Sequence, residues 1–310
     1  MGGTDPRSCG SVPPQGGVDR LDEAVPHIDG LTGARILDIA RRGKAAGRNP
    51  RAFGLVGDSI TEGLLFLGPF AAGSTQPIEL GAGVAEGLST TISGRTASII
   101  DVYRGVPVER LVGFTRDSFR ATRAAKVGAP SGWALAPAAD GRSPLASMID
   151  RVNPAVAIVM YGSNDAAVGL VPIDVLTAKF EANLRAIVRQ LDGAGIVPIL
   201  STIPRRGPQP ELRDCAAEGL SDARIMVQTS ALSAVAARVA CEERLPLIDL
   251  RHAFDGLVSA GLFSDGIHPH SHPRGSGMLT DAGLGCGYNA RNYLALRALR
   301  NVRQALLEVP

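Results

Sequence analysis

The run AVAIVMYG, residues 155–162, follows Pro154 and leads directly into Ser163, Asn164 and Asp165. It carries no charge and is bounded by turn-forming residues, the pattern of a strand buried on both faces. Downstream, Val175, Leu176, Phe180, Leu184, Ile187, Val188 and Leu191 recur at three- and four-residue spacing, which predicts an amphipathic helix ended by Gly193 and Gly195. A strand over 196–203, a helix over about 221–243, a strand over 246–250 and a helix over about 289–307 continue the pattern. Upstream, a short helix is expected over 145–151 and a buried strand at AFGLVG, residues 52–57, stopped by Asp58 and Ser59. Before it, Leu31, Ile36, Leu37 and Ile39 mark a helix that Gly47 and Pro50 close. Apolar strands alternating with helices imply an α/β fold: a parallel sheet covered on both faces, with right-handed crossovers. Active sites in such folds lie beyond the carboxyl ends of the strands.

Residues 64–120 are rich in Gly, Ser and Thr, with one apolar patch at 99–102, and read as an irregular insertion. Residues 1–30 read as an N-terminal extension, poorly ordered up to about Gly17. The rest, 31–310, is expected to form a single domain, a length that one core can serve.

Composition narrows the function. With 45% hydrophobic and 20% charged residues the chain has the balance of a globular protein rather than a disordered one. A net charge of +2 with dispersed arginines speaks against a nucleic-acid partner. No apolar run approaches the length of a membrane span, and MGGTDPRSCG lacks the features of a signal peptide. Cys9, Cys215, Cys241 and Cys286 form no Cys-x-x-Cys pair, so neither a zinc knuckle nor a redox motif is suggested. Their even number fits one or two disulfides, or free thiols, and a secreted or periplasmic location is favoured over a cytoplasmic one. Oligomeric state is open.

Three short blocks carry the chemistry. Ser59 stands at the end of an apolar strand, in GLVGDSITEG, where a tight turn would expose its hydroxyl; the alternative is that Asp58 or Ser59 only caps the next helix. A serine needs a base to become a nucleophile, and SDGIHP places Asp265 three residues before His268, so that the carboxylate could orient the imidazole. In GSND, Asn164 could present its amide to the oxyanion that Ser59 generates, or form a turn, with Asp165 capping the next segment or holding the loop.

GDSI at 57–60, GSND at 162–165 and DGIHP at 265–269, in this order and each in matching context, resemble the SGNH, or GDSL-type, hydrolases. The resemblance implies a three-layer α/β/α sandwich with a flavodoxin-like parallel sheet. It also implies a carboxylic ester hydrolase, an esterase or lipase with an acyl-enzyme intermediate and no cofactor. Ser59 would be the nucleophile, His268 the base and Asp265 its orienting partner. The oxyanion hole would use the Ser59 N–H, a glycine N–H and Asn164. Gly132, which lies 32 residues before Asn164, is taken as that glycine; Gly128 and Gly94, in ISGRT, are the alternatives. The substrate would be a small-molecule, lipid or carbohydrate ester. Acyl transfer to an acceptor other than water, and carbohydrate deacetylation, remain open on the same fold.

Competing readings come from other classes. His268, His270 and His272 alternate in HPHSHP and could ligate zinc or nickel, but no Glu or Cys accompanies them and no metal is expected. The G-x-G-x-x-G of dinucleotide-binding folds is absent, so no such cofactor is expected. A noncatalytic binding module on the same fold is the third class. Trp133 could line the pocket or pack in the core, and GYNARN, residues 287–292, reads as a cap of the last helix without chemistry.

Overall fold

Strand β1 (Asn49–Gly57) buries every residue from Ala52 onward, and in the computed structural model it lies inside a five-stranded sheet. The structure describes residues 17–167, 171–207 and 222–307; the disorder expected before Gly17 falls outside them. The other strands are β2 (Ala124–Ala125), β3 (Pro154–Met160), β4 (Val197–Ser201) and β5 (Leu247–Ile248). Every pairing is parallel and the spatial order is β5-β4-β3-β1-β2, the flavodoxin-like arrangement.

The helices are α1 (Gly17–Glu23), α2 (Gly30–Ala45), α3 (Ser59–Glu62), α4 (Pro144–Val152), α5 (Ile173–Gly193), α6 (Asp222–Glu242), α7 (Leu250–Asp255) and α8 (Gly287–Leu307), with shorter ones between. Helices α2 and α8 pack together over one face of the sheet, α5 and α6 over the other, giving three layers. The fully buried stripe Ile187, Leu191 on α5 and the run Val156 to Met160 on β3 meet in the core, which is why one element shows helical periodicity and the other shows none.

One expectation needs correction, and two elements were not foreseen. Edge strand β2 was not anticipated, because two alanines carry neither alternation nor an apolar run. It pairs only with Val56 and Gly57, and earlier on that edge the Ser118 hydroxyl accepts the Phe53 N–H at 2.9 Å in place of a strand. The segment 64–120 is more regular than expected: it contains antiparallel hairpins at 89–98 and 109–116 and a helix over Ile99–Tyr103. It belongs to the core, since Phe53 of β1 meets Tyr103 edge-on at 5.0 Å and Phe119 at 5.2 Å. Helix α1 likewise buries Leu21, and its Asp22 accepts a 2.6 Å hydrogen bond from Tyr293 of α8.

Cys286 is disulfide-bonded and Cys241 is a free, exposed thiol. No helix among the described residues is long and apolar enough to cross a membrane.

Candidate active site

In the order β2-β1-β3 the chain leaves β1 and β3 on opposite sides, so a crevice opens beyond their carboxyl ends. Ser59 follows β1 and Asn164 follows β3. Gly57 makes the first turn possible: a Cβ there would lie 2.3 Å from Thr61 Oγ1 and 2.6 Å from the Met160 carbonyl. Asp58 then caps α3, its carboxylate accepting the Ile60 N–H at 3.1 Å, which leaves Ser59 half-buried at the first helical position.

The third block reaches the same point from a loop. Asp265 accepts the backbone N–H groups of Ile267 (2.9 Å) and His268 (3.0 Å) through one oxygen. Its other oxygen lies 2.7 Å from His268 Nδ1, and His268 Nε2 lies 3.0 Å from Ser59 Oγ. The structure thus joins Ser59, His268 and Asp265 in one chain of hydrogen bonds. Burial tends to raise the Asp265 carboxyl, but the bonds from His268 and the two N–H groups outweigh it and hold it below the ordinary value. Since Nδ1–H is committed to a carboxylate, Nε2 is left as the acceptor for the serine proton.

His270 and His272 are engaged elsewhere. His270 is buried, donating from Nε2 to the Val258 carbonyl at 3.1 Å and accepting the Gly287 N–H at Nδ1. His272 Nδ1 accepts the Arg274 N–H. Among the described residues no group of three or more His, Cys, Asp or Glu is placed to hold a metal ion.

Around Asn164 the loops interlock. Gly162 adopts φ +127°, and a Cβ on it would lie 2.1 Å from Ile203. Asn164 donates to the Ala129 carbonyl at 3.3 Å, which uses one of its two amide hydrogens. Asp165 is buried and accepts both the N–H (2.9 Å) and the hydroxyl (2.5 Å) of Ser131, while Asn183 of α5 donates to that hydroxyl at 3.0 Å. Burial raises the Asp165 carboxyl, and the Ser131 bonds oppose the rise. Asp165 of GSND therefore locks the loop that leaves β2.

The three candidate glycines lie in different places. Lys126 N–H bonds the Gly57 carbonyl at 3.1 Å, so residues 126–129 turn directly beside the end of β1, with Gly128 at φ +73°. Gly132 is further on, in the 3₁₀ turn Ser131–Ala134, facing Asn183. Gly94 sits in the turn between Ser89–Ile92 and Arg95–Ser98. Trp133 packs partly buried against the core, with Lys126 Nζ 5.6 Å from its ring.

GYNARN does more than cap. Arg291, 3% exposed, reaches under the turn that carries Ser59: it bonds the Ile60 carbonyl and, at 2.9 Å, Thr61 Oγ1, and it stacks on Phe66 at 3.6 Å. Burial pushes its guanidinium down to about 10. Asp58, fully buried, is pushed up to about 6 by burial, against the Ile60 N–H and the charge of Arg291. The sequence gives little sign of this, because helical polar residues ordinarily face water.

Beside α3 the 64–120 segment forms a cavity of about 440 Å³, lined by Glu62, Leu64, Phe66, Phe114, Arg116 and Arg120 among others. The segment thus lines a cavity that begins at Glu62, the last residue of α3.

The profile of the GDSL-like lipase/acylhydrolase family matches residues 55–272, and the chain belongs to that family, which makes it a hydrolase. Similar solved structures include a lipase/acylhydrolase from Enterococcus faecalis, 18% identical, with 81% of this chain and 95% of that one covered at a TM-score of 0.46. A GDSL-like lipase from Bacteroides thetaiotaomicron is 14% identical, with 86% and 98% covered and a TM-score of 0.47. An acetyl xylan esterase from Geobacillus stearothermophilus is 17% identical, with 80% and 94% covered and a TM-score of 0.40. No curated protein matches the sequence.

Proposed function

We propose that the protein hydrolyses carboxylic esters through an acyl-enzyme on Ser59. The observation that carries this reading is the hydrogen-bonded chain from Ser59 Oγ through His268 to Asp265. Ser59 Oγ attacks the ester carbonyl while His268 Nε2 takes its proton, and Asp265 holds the imidazolium that results. Collapse of the tetrahedral intermediate breaks the bond to the leaving alcohol, which takes the proton from His268. Water then attacks the acyl group, gives a proton to His268, and releases the acid as Ser59 recovers that proton.

The oxyanion is stabilised by the N–H of Ser59, the remaining amide hydrogen of Asn164 and a glycine N–H. We assign that glycine to Gly128 in preference to Gly132. Gly128 lies in the turn that the Lys126–Gly57 bond holds beside β1, and next to Ala129, to which Asn164 donates. The cavity beside α3 provides room for one arm of the ester.

The test is hydrolysis of p-nitrophenyl acetate, butyrate and octanoate by the wild type, Ser59→Ala and His268→Ala. Turnover by the wild type alone is the expected result, and the chain-length profile then gauges the cavity. Equal turnover by Ser59→Ala would dismiss Ser59 as the nucleophile.

A further inference from the structure

Three side chains of GYNARN bind the two chain segments that carry Ser59 and His268, and the ester chemistry above uses none of them. Arg291 holds Ile60 and Thr61, the residues next after the nucleophile. Asn289 accepts the His272 N–H at 3.0 Å and donates to the carbonyls of Gly275 (3.0 Å) and Met278 (2.9 Å), all downstream of His268. Asn292 spans both segments. It accepts the Leu67 N–H at 2.8 Å and donates to Leu65 O at 2.9 Å on the serine side and to Ser276 O at 3.0 Å on the histidine side.

Both asparagines are fully buried, and each uses its oxygen and both amide hydrogens. Removing a guanidinium and two amides from water carries a desolvation cost that apolar residues at these helix positions would avoid. What these residues provide in return is geometric. The chain returns to one rigid helix from positions about 200 residues apart, and each return point is fixed by directional bonds.

We propose that the start of α8 is a positioning clamp that sets the Ser59–His268 separation. Arg291 fixes the turn after the serine, Asn289 the chain after the histidine, and Asn292 ties the two together. The inference rests on the proposed pairing of Ser59 with His268. Arg291, Asn289 and Asn292 are positioning residues that touch no substrate.

The test compares Arg291→Met, Arg291→Lys and Asn289→Ala with Val302→Ala, a core truncation further along the same helix, below the unfolding transition of every variant. Two readouts are followed: kcat and KM for p-nitrophenyl acetate, and the ring ¹⁵N signals of His268, which report its hydrogen bonds whether or not any ester is cleaved. Arg291→Met and Asn289→Ala should lower kcat by about 10²-fold, as a displacement of roughly 1 Å does, with KM within about twofold. Their His268 signals should move. Arg291→Lys keeps the charge but loses the fork, and should recover part of the rate. Val302→Ala should lose Tm while keeping kcat and the His268 signals. The clamp is overturned if folded Arg291→Met and Asn289→Ala keep wild-type His268 signals, or if Val302→Ala loses kcat as they do. If the signals move as expected but even the wild type cleaves no ester, the hydrolase reading fails and the clamp stands.

Discussion

The outer face of α5 and α6 and the carboxyl end of β1 both gather charged side chains, but under opposite conditions. On the outer face Glu181 meets Arg185 at 2.9 Å and Arg238 at 2.6 Å, and Arg185 also meets Glu243 at 2.8 Å. Each of these four charges has a counter-charge and access to water. Arg238 and Arg185 hold the Glu181 carboxyl down at about 2, yet such exposed networks contribute little to stability because water already solvates their members well. At the end of β1 Asp58 and Arg291 are charged and buried. Arg291 bonds neutral groups, and one Asp58 oxygen, Oδ2, has no hydrogen-bond partner. The charges near the site are therefore costly to keep, and what they secure is the position of a few atoms.

Substitutions at the two places should separate rate from stability. The largest effect is expected at Ser59. Ser59→Ala should lower kcat by about 10⁴-fold or more with Tm unchanged or raised, measured by ester turnover and calorimetry. Next, Asn164→Ala should lower kcat by about 10²-fold through loss of one oxyanion donor; wild-type turnover in the folded variant would remove Asn164 from the hole.

Asp58 should reveal itself through pH. Its folded value, about 6, lies above the ordinary 3.8, so the native state binds this proton more tightly than the unfolded chain. The resulting stabilisation is complete below about 3.8 and is lost as pH rises through about 6. Tm of the wild type relative to Asp58→Asn should accordingly fall between pH 4 and pH 7. A difference independent of pH would show that the folded and unfolded states bind this proton equally and that burial does not raise Asp58. The smallest effect belongs to the outer face: Glu181→Ala should lower Tm by no more than about 3 °C, less in high salt, and leave kcat untouched. A rate loss there would break the contrast between the two regions.

The contrast also explains which features could be read from the sequence. Strands β1 and β3 are legible because both faces are covered, so Leu55, Val56 and Ile158, Val159 stand as unbroken apolar runs. Ser59, Asp265 and His268 stand out less by any one motif than by the order and context of GDSI, GSND and DGIHP together, which resemble the SGNH hydrolases and lie at strand ends or in a late loop. The choice among Gly94, Gly128 and Gly132 was not, since it depends on β2, whose two alanines leave no pattern. Arg291 was hidden for a different reason. Its partners Ile60 and Thr61 lie more than two hundred residues away, and helical periodicity says nothing about which loops cover a helix.

The hydrogen bonds linking Ser59, His268 and Asp265 predict an acyl-enzyme on Ser59. Protein mixed with p-nitrophenyl acetate, quenched in acid within the first turnover and digested, should yield the Ser59 peptide heavier by one acetyl group, with fragmentation placing it on Ser59 and no such species from Ser59→Ala. An acetyl group on another residue, or turnover with none on Ser59, would contradict the account.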